Sequence, residues 1–170
     1  MRRAGLILVA AIATLGIGLP VFLHPAPRLL WNASASVPIG LYAVHPTGRL
    51  SLGELVVVTP PEPLTGFLAA RRYLPEGVPL VKHILALPGQ VVCRANRTIT
   101  IDGIAAGEAL DRDHLGRVLP SWQGCRAIAA GEIFLMNPLS ADSLDGRYFG
   151  LLPATTIVGR ADPVWIRPRK

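Results

Sequence analysis

L-V-K-H-I-L-A-L, Leu80 to Leu87, is a short aliphatic run with one lysine inside it, closed by Pro88-Gly89. A run of this length with a Pro-Gly stop reads as a β-strand. Side chains alternate along a strand, so Lys82 shares a face with Leu80 and Ile84, while Val81, His83 and Leu85 take the other. Two readings of Lys82 stand open. It is a solvated lysine on an amphipathic strand, or it is buried. Burial disfavours the ammonium and lowers its pKa from ~10.4. A neutral amine of that kind can take a proton from a hydroxyl at neutral pH.

Strand signals recur on both sides of this run. Leu41 to Val44 could start the first strand, and L-V-V-V at Leu55 to Val58 is a buried strand ended by Pro60-Pro61. Gln90 to Arg94 and Thr98 to Ile101 flank Ala95-Asn96-Arg97, and Asp102-Gly103 is a hairpin signal. Glu132 to Met136 and Ile157 to Ile166 complete the set. A helical turn is expected at Phe67–Tyr73, an irregular stretch at Ala105–Ala130 and a polar loop at Asn137–Gly150. Many short strands without a long amphipathic helix predict a mainly β domain over residues 28–170.

The chain has 170 residues, of which 51% are hydrophobic and only 16% charged, enough for one domain with a core and too apolar for extended disorder. Mean hydropathy is +0.42. The net charge of +6 is scattered, without interleaved aromatics or a helical stripe, so no nucleic-acid partner is expected. Ala4 to Leu23 carries no charge and has about the ~20 residues that a helix needs to cross a bilayer. The apolar region of a cleaved signal peptide is shorter, ~7–15 residues, and His24-Pro25-Ala26-Pro27 is a poor cleavage site. Residues 1–27 therefore read as a retained membrane anchor. Arg2-Arg3 before the run leaves the N-terminus cytoplasmic and the rest outside, with Trp31 near the interface.

N-A-S-A-S-V-P-I-G-L-Y, Asn32 to Tyr42, follows the anchor. Pro38 and Gly40 impose a bend, and a serine held there displays its hydroxyl beside an outward N–H. That suits a nucleophile, because a reacting carbonyl needs an attacking oxygen and a donor on the same side. Ser36 with a deprotonated Lys82 makes a Ser-Lys dyad. The rival reading of the stretch is an ordinary loop.

Four boxes in order resemble bacterial signal peptidase I and its membrane-anchored Ser-Lys relatives. S-A-S-V-P-I-G-L-Y is similar to the nucleophile box, with Ser36 on the nucleophile. G-E-L-V-V-V looks like the strand that follows. P-L-V-K-H-I-L-A-L-P-G-Q-V-V looks like the lysine box, with Lys82 on the general base. D-S-L-D-G-R-Y-F-G resembles the late box and places Ser143, Asp145, Arg147 and Gly150 on its positions, and I-V-G-R-A fits the end. Departures are Val37 where Met is usual, Pro38 one residue early, His83 for Arg, Gln90 for Asp and Gly146 for Ser. S-V-P-I-G-L-Y and G-R-V-L-P-S-W-Q-G-C look more like the conjugative-transfer branch, the TraF-type peptidases. The resemblance implies a signal peptidase-like β-rich domain in the periplasm, held on the inner membrane. It implies an exported precursor as substrate, such as a pilin, with conjugation or type IV secretion components as partners. A general signal peptidase I and a non-catalytic anchored scaffold are the alternatives.

On this reading Ser36 attacks, Lys82 is the base, and Ser36 N–H with the Ser34 hydroxyl holds the oxyanion. Ser143 bonds the lysine amine. Asp145 is a candidate third catalytic residue, and a structural pair with Arg147 is the alternative. Small residues are expected before the cut, with Ile39 and Leu80 in the pocket wall. Cys93 and Cys125 are either a disulfide or two buried thiols. His24, His45, His83 and His114 lack a ligand pattern, and Asp111-Arg112-Asp113 reads as a solvated loop, so no metal or cofactor is expected.

Overall fold

The computed structural model describes residues 2–23 and 28–168. Residues 24–27, the end of the expected anchor, lie outside the described residues. The chain begins with α1 (Arg2–Leu23), whose side chains are described from Arg3 to Gly18. Among the described residues no helix is long and apolar enough to cross a membrane. Then follow β1 (Leu29–Asn32), β2 (Gly40–His45), β3 (Leu55–Val58), α2 (Leu64–Ala70) and β4 (Leu80–Ala86). Next come β5 (Val91–Ala95), β6 (Thr98–Ile101), β7 (Ile104–Glu108), β8 (Gly124–Ala127) and β9 (Glu132–Met136). The last elements are α3 (Gly146–Phe149), β10 (Leu152–Pro153) and β11 (Ile157–Ile166).

Seven strands form one antiparallel sheet in the order β1-β2-β11-β3-β4-β9-β10. The chain leaves it after β4, builds a four-stranded sheet in the order β7-β6-β5-β8, and returns as β9 beside β4. The domain is mainly β.

The unbroken apolar run at β3 has a physical reason: the sheet is covered on both faces. Val57 and Val81 join Val37, Tyr42, Val44 and Ala161 in one cluster, while Val56, Val58, Ile84, Ile133 and Leu135 form another. A third cluster links the two sheets through Ala86, Phe134 and Met136 of the large one and Val92 and Ile99 of the small one. Asp102 and Gly103 both take positive φ, 50° and 80°, in a two-residue turn joining β6 to β7.

Four local expectations are corrected. The helix α2 starts at Leu64 and ends at Ala70, earlier than the turn expected at Phe67–Tyr73, since Arg72 takes a positive φ of 57° and Tyr73 lies past the helix end. The first strand is β1, ahead of Leu41, and it pairs Trp31 with Leu41. The stretch Ala105–Ala130 holds most of β7 and all of β8, both with well-defined partners. The loop Asn137–Gly150 contains α3. Gly146 lets that turn sit against β9, because a Cβ there would strike the Phe134 ring and approach the Leu135 carbonyl oxygen at 2.7 Å.

Candidate active site

The bend between β1 and β2 carries Ser36, and one buried amide organises it. Asn32 Nδ2 lies within hydrogen-bond distance of three carbonyl oxygens, those of Ser34 (2.7 Å), Pro38 (3.1 Å) and Val37 (3.2 Å). Its Oδ1 accepts from Ser34 N–H at 3.2 Å. Tyr42 OH donates to Pro38 O at 2.6 Å from the adjacent strand. Gly40 is required at the end of the bend, where a Cβ would overlap the Trp165 carbonyl of β11. Ser34 Oγ and Ser36 Oγ lie 2.9 Å apart, and Ser36 N–H donates to Ser34 Oγ at 3.2 Å.

Lys82 is only 3% exposed. The solvated reading of this side chain is therefore excluded, and the expected alternation is interrupted after Ile84, where the register with β9 shifts. Its Nζ donates to Ser143 Oγ at 2.7 Å. Burial pushes the ammonium down from its ordinary 10.5 to about 8; the Asp145 carboxylate pulls it back up, and Arg147 pushes it down. Asn137 flanks this lysine on both sides. Its Nδ2 donates to Val81 O at 3.1 Å and its Oδ1 accepts from His83 N–H at 3.1 Å. A side-chain amide thus continues the β4–β9 ladder past Met136 and fixes the backbone from which Lys82 extends.

The segment carrying Ser143 is pinned by one buried ion pair. Arg147 Nε and Nη2 donate to Asp145 Oδ1 and Oδ2, each at 2.9 Å, with both side chains at most 2% exposed. Arg147 Nη2 also donates to the carbonyls of Ser140 (2.6 Å) and Ser143 (3.1 Å), and Asp145 Oδ2 accepts from Asn137 N–H at 3.0 Å. The hydrogen bonds of the Asp145 carboxylate thus go to Arg147 and Asn137.

Ser34, Ser36, Lys82 and Ser143 all line one cleft of about 640 Å³. Among the described residues no hydrogen bond joins Ser36 to Lys82; each has its own serine partner. Such contacts tighten when substrate arrives, so a relaxed pair in the free protein is compatible with catalysis. Leu80 lines the cleft and Ile39 does not. The apolar wall comes instead from Leu68, Tyr73, Leu110, Leu119, Leu144 and Tyr148.

Asp113 is part of that wall, not a solvated loop residue: its side chain is 6% exposed. It accepts from Tyr73 OH and, at 2.7 Å, from Arg117 Nε. Burial pushes its carboxyl up, but donors from Tyr73, Arg117 and Leu115 overcome this and hold it well below the usual range. Arg71 donates to Val118 O and Arg117 to Arg71 O, which bolts the 111–119 hairpin to the end of α2. Cys93 and Cys125 stand opposite one another on β5 and β8 and are joined. Among the described residues no group of side chains has the makings of a metal site.

Asn32 and Asn137 carry no role in the sequence reading. Asn32 stands four residues before Ser36, but its partners are backbone carbonyls that become its neighbours only when the bend closes. Asn137 acts on a strand more than fifty residues away. We expect Asn32→Ala to cost about 1–3 kcal/mol in urea unfolding, since several carbonyls lose their donor. It should also loosen the bend that carries Ser36, which loses that support.

A family model described as Signal peptidase, peptidase S26 matches residues 1–166. The Conjugal transfer protein TraF of Agrobacterium fabrum is 37% identical over 146 residues, covering 79% of this chain and 80% of that one. The Plasmid transfer protein TraF of Escherichia coli is 30% identical over 144 residues, covering 78% and 80%. The crystal structure of a signal peptidase I from Enterococcus faecalis aligns with 66% of this chain and 97% of that one, at a TM-score of 0.39 and 18% identity. With the family match running from the first residue through β11, and TraF relatives matching across four-fifths of their length, the chain belongs to the signal peptidase S26 family.

Proposed function

We propose that this protein is a membrane-anchored serine endopeptidase that matures an exported precursor through Ser36 and Lys82. The observation that carries this is the buried Lys82 amine, bonded to Ser143 in the same cleft as Ser36. A scaffold has no use for a lysine kept 97% out of water with its pKa brought down to about 8.

Ser36 Oγ attacks the scissile carbonyl while neutral Lys82 accepts the hydroxyl proton. The tetrahedral oxyanion takes the place of the Ser34 hydroxyl at Ser36 N–H, and Ser34 turns to donate to it. One such donor is worth about 3–4 kcal/mol in other enzymes. The intermediate collapses as the C–N bond breaks, and the Lys82 ammonium returns its proton to the leaving amine. The ester on Ser36 is then resolved by water, which gives a shortened chain, or by an amine of the substrate, which gives a ring. The substrate lies as an added strand, with alternate side chains entering the cleft.

The TraF relatives favour a conjugative-transfer precursor, such as a pilin, over general signal-peptide removal. The reading places residues 1–27 in the inner membrane and residues 28–170 in the periplasm, supported by the uncharged run after Arg3. The test is the mass of a pilin precursor from the same transfer system after co-expression with the parent and with Ser36→Ala. A shorter product present only with the parent is the expected result, and loss of one further water from it marks ring closure. A product that persists with Ser36→Ala overturns the proposal.

A further inference from the structure

Besides the phenols of Tyr73 and Tyr148, the cleft is lined by Lys82, Asp113, His114 and Asp142. Lys82 is bonded to Ser143, and Asp113 is held by Tyr73 and Arg117. Asp142 is different. It is exposed, it immediately precedes the serine that holds Lys82, and among the described residues it makes no hydrogen bond or ion pair. Its backbone is nevertheless fixed. Ser143 N–H bonds to Ser140 O at 3.3 Å, which makes residues 140–143 a tight turn with Asp142 at its third position. Arg147 Nη2 binds the carbonyls of both end residues of that turn. The turn cannot swing away without breaking contacts of a fully buried guanidinium.

A carboxylate on an ordered turn at a mostly apolar cleft, in a chain whose net charge is +6, offers a substrate cation a counter-charge that no protein group takes up among the described residues. We propose that Asp142 is a specificity subsite for a cationic amine of the substrate, bound beside the scissile bond. The inference rests on the peptidase reading for its meaning and extends it to the chemistry of the substrate. Because the turn is already ordered, little is lost in forming the contact. The amine has two sources: a Lys or Arg side chain next to the cut, or the free α-amine of the substrate chain.

The test uses binding, so it does not depend on turnover. Ser36→Ala protein is titrated with three dye-labelled, alanine-rich peptides, read by fluorescence anisotropy. One carries a lysine beside the central Ala-Ala and an acetylated N-terminus. One has no lysine and a free N-terminus. One has no lysine and is acetylated. We expect one cationic peptide to bind about 10-fold tighter than the neutral one. That advantage should fall below about 2-fold when Asp142→Asn is added and reverse with Asp142→Lys. A gain for the first peptide identifies a side chain as the ligand, and a gain for the second identifies the α-amine. Equal binding of all three, no binding of any, or an advantage that survives Asp142→Asn overturns the inference. A failed peptidase reading shows separately, in the precursor masses.

Discussion

Lys82→Met is expected to lose activity by about 10³-fold or more and to be more stable than its parent at pH 7. The two effects share one cause. In the parent, Lys82 sits among buried groups and its pKa falls from 10.5 to about 8. At pH 7 the folded chain carries a buried ammonium, which costs about 3 kcal/mol relative to the unfolded chain. Between pH 8 and 10.5 the unfolded state binds a proton that the folded state does not, so this cost fades and parent stability rises with pH across that window. Methionine fills similar volume without the charge. It leaves the Ser143 hydroxyl short of one partner, which returns about 1 kcal/mol, so the net gain at pH 7 is about 2 kcal/mol. Urea unfolding from pH 6 to 10 checks this: the parent gains stability above pH 8 and Lys82→Met does not. In the proposed mechanism the same proton governs rate. Only the neutral amine accepts from Ser36, so kcat/KM of the parent should climb from pH 6 and level off above about pH 8. Full turnover by Lys82→Met, or identical pH slopes for the two proteins, would refute the role of this lysine.

What the sequence shows, and what it hides, divides along the same line between local and distant causes. β3 and β9 run where L-V-V-V and E-I-F-L-M predict them, because Pro and Gly punctuate apolar runs, and β11 covers Ile157–Ile166 as predicted although it carries Arg160 and Asp162 and is exposed towards its end. Ser36 and Lys82 are visible because a bend and a lone lysine in a strand are local anomalies. β8 is not visible: G-C-R-A is exposed throughout and is a strand only because β5 pairs with it. Asn32 and Asn137 look like ordinary loop amides until the carbonyls and strand they bond are brought close. The 111–119 hairpin is charged at Asp111-Arg112-Asp113 and reads as solvated. Its Asp113 is enclosed by Tyr73, from a segment forty residues earlier. Asp145 and Arg147 are adjacent enough to suggest a pair, but nothing local tells a pair that builds the loop from a carboxylate that does chemistry.

Asp145 and Arg147 substitutions separate those two roles, and their effects should be large. The pair is fully buried, so Asp145→Asn or Arg147→Met alone leaves one charge without its counterpart and should cost about 3–5 kcal/mol. The double variant should cost much less than the sum, since neither charge remains. Stability alone does not assign function, because any structural pair behaves this way. The pH profile does. Asp145 raises the pKa of Lys82 and Arg147 lowers it. If the pair works through Lys82, Asp145→Asn shifts the rising limb of kcat/KM below pH 8 and Arg147→Met shifts it above. The double variant should return the limb close to that of the parent, with much of the rate, measured at a temperature where all three are folded. If Asp145 instead touches the reacting groups, Asp145→Asn lowers kcat without moving the limb, and removing Arg147 as well restores nothing. The geometry favours the first outcome, since the hydrogen bonds of the carboxylate go to Arg147 and Asn137. Asp145 then acts as a positioning residue: it holds Arg147, Arg147 holds the turn at Ser140–Ser143, and that turn sets the hydroxyl to which the Lys82 amine is bonded.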